Sequence, residues 1–207
     1  MTFREIDMAA LGESDERAPY RLLNSVVVPR AIAWVSSRSG DGVDNLAPHS
    51  FFTVACAEPP MLAFTSIGAK DTLRNVRETG EFIVHVAARE LMGAVNRTGA
   101  GQPADVSEFD DAGLDRAPGH AVSVQRVAAS PAAFECVLHQ IVDLGTSAMI
   151  IGRVVHAAVR EDVFTHPKYP DHPSFDRLQP LARLGLSEWA LPGEVVTLKR
   201  PSWGVDT

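Results

Sequence analysis

Short apolar runs, broken at close intervals by Pro, Gly, Asp and Ser, set the pattern in the first half of this 207-residue chain. Residues 25–28 lead through Pro29-Arg30 into 31–37, a β-branched and aromatic run that stops at Ser39-Gly40-Asp41-Gly42. Runs of this composition bounded by turn residues predict strands, and the paired glycines suit a tight turn. Residues 50–56 form a second run, which ends at Glu58-Pro59-Pro60, and 61–67 form a third immediately after. Three strands at short spacing point to an antiparallel meander or barrel and away from βαβ units.

The period then lengthens. Asp71-Thr72 can cap a short helix over 73–78 that closes at Gly80. A strand is expected over 81–87 and a helix over 89–96, with Leu91, Met92 and Val95 on one side. Residues 97–120, rich in Gly, Pro and Asp, predict a long surface excursion of the kind that serves as a lid or subunit contact. Residues 133–142 and 147–159 read as a strand pair about Asp143-Leu144-Gly145-Thr146, a hairpin signal. The stretch from Asp162 is rich in Pro and His and offers a short helix around 181–184. This predicts one domain over 1–207, mainly β with a few helices (α+β). It carries an N-terminal arm (1–20), the 97–120 excursion and a C-terminal extension (162–207).

Composition narrows the partners. Nineteen Lys and Arg against 26 Asp and Glu give a net charge of -7. With no block of five basic residues, a nucleic-acid footprint is not expected. Cys56 and Cys136 are too far apart for a redox pair and too few for a zinc site. They read as buried free thiols in a reducing compartment. The first 17 residues hold no apolar leader core, and no apolar stretch is long enough to span a bilayer. The expectation is a cytoplasmic protein with no membrane partner.

Familiar catalytic signatures are missing. There is no GxxxxGK[ST] and no GxSxG, and Gly99-Ala100-Gly101 neither follows a strand nor gains a third glycine. Seven histidines show no HxH or HExxH spacing. His166, Asp171 and His172 lie close together, but loop histidines beside prolines are normally solvated, and no metal is expected. What remains is polar residues gathered where strands end. Ser66, Lys70, Asp71 and Thr72 bring a cation, hydroxyls and free backbone N–H groups to one helix N-terminus, a site suited to phosphate. The same residues also read as a plain helix cap beside a solvated lysine.

An ordered set of segments makes the comparison specific. Residues 29–35 (PRAIAWV), 45–52 (NLAPHSFF), Pro59-Pro60 and 70–75 (KDTLRN) come first. Glu108-Phe109 with Ala112-Gly113-Leu114, then 152–156 (GRVVH) and 180–185 (PLARLG), follow in order. Together they resemble the flavin reductase-like, FMN-binding split-barrel family from about Leu22 to Pro201. Two positions depart from its pattern. His49 stands where an aromatic or other bulky residue is more frequent, and Trp189 where tyrosine is usual.

The resemblance implies a six-stranded split β-barrel of Greek-key topology that holds FMN, less often FAD, in a groove at a homodimer interface. Carried over, Asn45, Leu46, Ala47, Pro48, His49, Ser50 and Phe51 would meet the flavin ring and ribityl chain. Ala47 and Pro48 would lie flat beside the ring, with Asn45 and Ser50 as polar handles. Ser66, Lys70, Asp71 and Thr72 would take the phosphate. Arg30 is either a further cation there or a lone surface arginine, and Trp34 either flanks the flavin or belongs to the core. The implied activity is NAD(P)H-dependent flavin reduction, possible without any catalytic side chain because the cofactor carries the chemistry. His156 would orient the nicotinamide nucleotide or else face solvent. A flavin-dependent monooxygenase would be the natural recipient of reduced flavin. The alternative is a non-enzymatic FMN-binding electron carrier, or a binder of another planar cofactor, on the same fold.

Overall fold

The protein is described here, from a computed structural model, over residues 1–201; the last six residues of the expected C-terminal extension lie outside the described residues. Two short helices open the chain. The carboxylate of Asp7 accepts from the Ala9 and Ala10 N–H groups at the start of α1 (Met8–Ser14). Helix α2 (Ala18–Val26) carries Pro19 in its first turn, where a proline loses no helical bond. The sequence pattern assigns 25–28 to a strand, but α2 runs through Ser25 and Val26. Its C-terminal carbonyls are the reason. The Arg30 guanidinium donates to Asn24 O and to Val27 O, the latter at 3.1 Å, a cation where a helix end favours one.

The chain continues through β1 (Arg30–Ala31), β2 (Ala33–Arg38), β3 (Asp44–His49), β4 (Phe52–Cys56) and β5 (Met61–Ile67). Helix α3 (Asp71–Thr79), β6 (Glu81–Val86) and α4 (Met92–Arg97) follow, then α5 (Glu108–Asp111), β7 (Arg116–Pro118) and β8 (Gln125–Val127). The long hairpin of β9 (Ala132–Leu144) and β10 (Ser147–Val159) precedes α6 (Phe175–Leu178), β11 (Ala182–Arg183) and β12 (Trp189–Ala190). The helix expected around 181–184 is instead β11. It pairs with β1 through Arg30↔Arg183 and Ala31↔Ala182, so tertiary pairing overrides a weak local pattern. The nearby helix is α6.

Seven strands form one antiparallel sheet in the order β3-β2-β6-β9-β10-β5-β4. The two edge strands, β3 and β4, are consecutive in the chain and separated only by Ser50 and Phe51. A two-residue link can join opposite edges only if the sheet curls until they meet, which closes it into a split barrel. The 50–56 run becomes a strand only from Phe52, and β3, which the pattern did not assign, precedes it; β3 pairs with β2 and β4 with β5. This is one strand more than the six the resemblance implies.

Period-two alternation sorts the side chains between two cores. Ala33 and Val35 of β2 join Phe64, Phe82, Val84 and Ile150 inside the barrel, where Leu73 and Val76 of α3 complete the packing. Trp34 points the other way, into a cluster with Leu46, Val95, Phe109 and Leu181. Phe64 and Phe82, both essentially unexposed and meeting edge to face at 5.4 Å, each stabilise the barrel by roughly 1.5–3 kcal/mol. The 97–120 segment is not merely a surface excursion, because Phe109 enters this second core and Glu108 is buried beside it. Cys136 is buried as expected, with its thiol pushed up to about 12 by that burial. Cys56 is only half-buried, since it ends an edge strand. Among the described residues, no helix is long and apolar enough to cross a membrane.

Candidate functional site

The β3–β4 crossing, the N-terminus of α3 and the 98–102 segment enclose a cleft of about 430 Å³. One wall is nearly flat: Ala47 and Pro48 present no polar side-chain atom, and Gly99 packs against Pro48. A Cβ on Gly99 would come within 3.4 Å of Pro48 Cγ and 3.3 Å of Asn96 O, so glycine lets the two walls approach closely. The floor is a buried polar chain. Asn45 Nδ2 donates to Thr72 Oγ1 at 3.1 Å and to Ser37 Oγ at 3.3 Å, and Asn75 Nδ2 reaches the same Ser37 hydroxyl at 3.2 Å.

Helix α3 opens this cleft at one end. Lys70 is its N-cap residue, and no side chain caps the helix. Asp71 and Thr72, expected to be the cap, instead form its first turn. The first amides of a helix lack intrahelical partners, so they stay available to an anion beside the Lys70 ammonium. The Asp71 carboxylate would oppose an anion, but Arg74 holds it at 2.7 Å.

Two titratable groups are buried in the walls. His49 packs on Phe64 at 4.8 Å between ring centroids, and its Nε2 lies 3.4 Å from Thr72 Oγ1. Burial drives its pKa down to about 4, outweighing a bond to the Thr65 backbone, and nearby Lys70 lowers it further. A neutral ring therefore lines the cleft at pH 7. The Glu108 carboxylate accepts from Leu46 N at 2.9 Å, and burial raises its pKa despite that bond.

The structure thus brings Asn45, Ala47, Pro48, His49, Ser50 and Phe51 together with Lys70, Asp71 and Thr72 around one cleft. Four other expected residues lie behind or beside it. Leu46 is fully buried, its amide tied to Glu108. Trp34 is a core residue whose indole N–H donates to Thr98 Oγ1 at 2.8 Å. Ser66 is buried under the turn before α3 and donates to Gly68 O at 3.4 Å. Arg30 is neither a cleft cation nor a lone surface side chain. It ties α2 to Leu184 O, with only a long 3.5 Å contact to Ser50 Oγ.

His156 also lies outside the cleft lining. Its ring stacks on His120 at 4.4 Å, with Nδ1 3.3 Å from the buried Glu135 carboxylate. His166 caps its own loop, accepting from the Lys168 and Tyr169 amides at 3.2 and 2.9 Å. The sequence reading missed Tyr20, Thr65 and the 98–102 wall. The Gly99-Ala100-Gly101 segment was visible as a motif, but only as a failed dinucleotide fingerprint. A second cavity of about 500 Å³ adjoins the cleft and is closed by Arg183 and Trp189.

Comparison with known proteins decides the family. The model described as "Flavin reductase like domain" matches residues 25–176, most of the chain. The chain belongs to the flavin reductase-like family. An uncharacterized protein of Halalkalibacterium halodurans is 38% identical over 195 residues, covering 88% of this chain and 91% of its own. Among solved structures, nitrilotriacetate monooxygenase component B of Bacillus cereus is similar at TM-score 0.88 and 32% identity, over 96% of this chain and all of that one. The 2-nitrobenzoate 2-nitroreductase NbaA of Pseudomonas fluorescens is similar at TM-score 0.86 and 28% identity, over 97% and 98%. For this flavin reductase-like chain the split barrel is therefore the shared frame.

Proposed function

We propose that this protein is an FMN-binding oxidoreductase that transfers a hydride from NAD(P)H to flavin, acting as a single-domain cytoplasmic homodimer. The observation that carries the reading is one cleft with two unlike ends, a flat apolar wall at Ala47-Pro48 and an open, cation-flanked helix start at Lys70. A molecule with a planar ring and a terminal phosphate matches both. FMN is that molecule; FAD, with its second nucleotide, fits the reading less well.

In this assignment Lys70 and the first amides of α3 hold the phosphate, while Thr72 and the Asn45–Ser37 chain keep the helix start in place. Ala47, Pro48 and Gly99 bound the ring, and backbone amides of 45–52 orient it, because Ala47 and Pro48 offer no side-chain donors. When bound, FMN supplies hydride acceptance from a nicotinamide. The protein's part is binding, orientation and exclusion of water, and no acid–base side chain is assigned. Neutral His49 adds a polar atom beside the ring without adding a charge. His156 and Arg30 take no part in this assignment.

The likeness to a monooxygenase component B supports a role in handing reduced flavin to an oxygenase. The decisive assay is spectroscopic. The purified protein is titrated with FMN, then mixed anaerobically with NADH or NADPH while the flavin band is followed. Bleaching by either nicotinamide is the expected result. Retained flavin that neither bleaches would support the electron-carrier alternative, and failure to bind FMN would end the reading.

A further inference from the structure

The second cavity adjoins the cleft, since Tyr20, Pro48, Ser50, Gly99 and Ala100 line both. Its outer wall is the β11–β12 pair. Arg183 and Trp189 are cross-strand partners there, and the guanidinium carbon lies 4.6 Å from the indole centroid. Ile32 and Val95 lie behind the lining, 5% and 0% exposed, while Tyr20 and Pro48 present accessible surface to it. Among the described residues, Arg183 is the one charged side chain in the lining, and no carboxylate lies in it.

The two arginines at this wall differ in what they hold. Arg30, across the strand pair from Arg183, is turned to α2 and commits its guanidinium to backbone carbonyls of Asn24, Val27 and Leu184. Arg183 donates one bond, from Nη2 to Leu186 O at 2.7 Å. Among the described residues it forms no ion pair. A half-buried guanidinium with donors to spare and an indole beneath it suits a planar anion, because its fork matches a carboxylate in two parallel bonds.

We propose that this cavity is a subsite for a planar aromatic carboxylate, with Arg183 taking the carboxylate and Trp189, Tyr20 and Pro48 taking the ring. The proposal rests on the adjoining cleft being the flavin site, which would put the bound ring next to the cofactor.

The test is isothermal titration of the full-length protein, with and without FMN, using benzoate and its neutral analogue benzamide. Benzoate is expected to bind wild type about tenfold more tightly than benzamide, the equivalent of one charge-assisted bond. Arg183→Gln should abolish that preference, and Trp189→Ala should weaken both ligands alike. Should Arg183→Gln fail to fold, Arg183→Lys is read instead, and the preference must fall because the planar fork is lost. Equal binding of benzoate and benzamide to wild type overturns the proposal, as does a preference that survives loss of the guanidinium. So does displacement of benzoate by nicotinamide mononucleotide with a larger loss for that nucleotide in Arg183→Gln, which would give the cavity to the electron donor. An FMN titration of wild type is run in parallel. Its failure would remove the flavin reading, while the benzoate preference is still read on the FMN-free protein.

Discussion

His85 sits between two backbone groups that fix its protonation. Its Nδ1 lies 2.9 Å from Trp34 O, which accepts only, while Nε2 accepts from Val127 N at 3.1 Å. A neutral ring satisfies both, whereas a second proton would break the Val127 bond in a buried site. Burial lowers its pKa from 6.5 to about 4, as it does for His49. Both folded pKa values are depressed, so the unfolded chain takes up these protons first as pH falls, and stability declines from pH 6.5 down to about 4. Each ring contributes up to about 3 kcal/mol to that decline. Glu108 works in the opposite sense, because its raised pKa makes the folded state bind the proton earlier. Urea unfolding at stepped pH is expected to show the slope, and His85→Gln to remove a large share of it; a profile parallel to wild type would locate the titration elsewhere. Lys70 gives a second prediction at this scale. Lys70→Ala should weaken FMN by roughly 1–3 kcal/mol, the range for a charge-assisted hydrogen bond. A fluorescence-quenching titration with unchanged affinity would remove Lys70 from the site. The helix start at Lys70-Asp71-Thr72 was legible in the sequence because it is a local feature. Glu108 and Thr98 were not, since only tertiary packing carries them to Leu46 and Trp34.

At the scale of elements, β5, β6, β9 and β10 were readable as apolar runs bounded by turn residues. The β3–β4 division was not. Residues 44–56 are continuously β-like, and nothing local says that the chain changes partners at Ser50-Phe51. The β11 stretch failed for a related reason, since two residues of strand carry no period at all. Packing between elements makes its own demand at Gly152 of β10. A Cβ there would lie 2.2 Å from Phe82 Cζ and 3.1 Å from Cys136 Cβ, in the middle of the barrel core. The β9–β10 register also shifts between Ile151 and Gly152, an irregularity that a side chain would crowd further. Gly152→Ala should therefore destabilise the protein by about 1–3 kcal/mol, the range for overpacking. Phe82→Leu in the same chain should recover part of the loss, because the two sites share one contact. Additive loss in thermal unfolding of the double variant would show that the strain arises elsewhere.

At the scale of the whole molecule, the surface beside the cleft is unusually apolar. Leu23, Val26 and Val27 at the end of α2 are 55–69% exposed, and Val54 on the free edge of β4 is 70% exposed. Tyr20 and Phe51, with ring centroids 6.4 Å apart, join the two patches at the mouth of the cleft. Contiguous apolar surface next to an unpaired strand edge is characteristic of a covered interface, and an isolated chain would be prone to aggregate there. A second copy related by a two-fold axis is the commonest cover. Helix α2, which begins in the N-terminal arm, presents a defined apolar face. The 97–120 segment, expected as a lid or subunit contact, sends Phe109 inward while most of its residues stay at the surface. Light scattering is thus expected to return twice the 22.3 kDa chain mass at micromolar concentration. Because Tyr20 and Phe51 belong to both the patch and the cleft, subunit association and FMN affinity should be coupled. Leu23→Asp, which touches neither the Lys70 end nor the Ala47-Pro48 wall, should yield monomers that bind FMN about tenfold more weakly, a loss of about 1.4 kcal/mol. A monomeric variant with wild-type FMN affinity would break that coupling and confine the cofactor site to one chain. A wild-type protein that is itself monomeric would leave the apolar face to another partner.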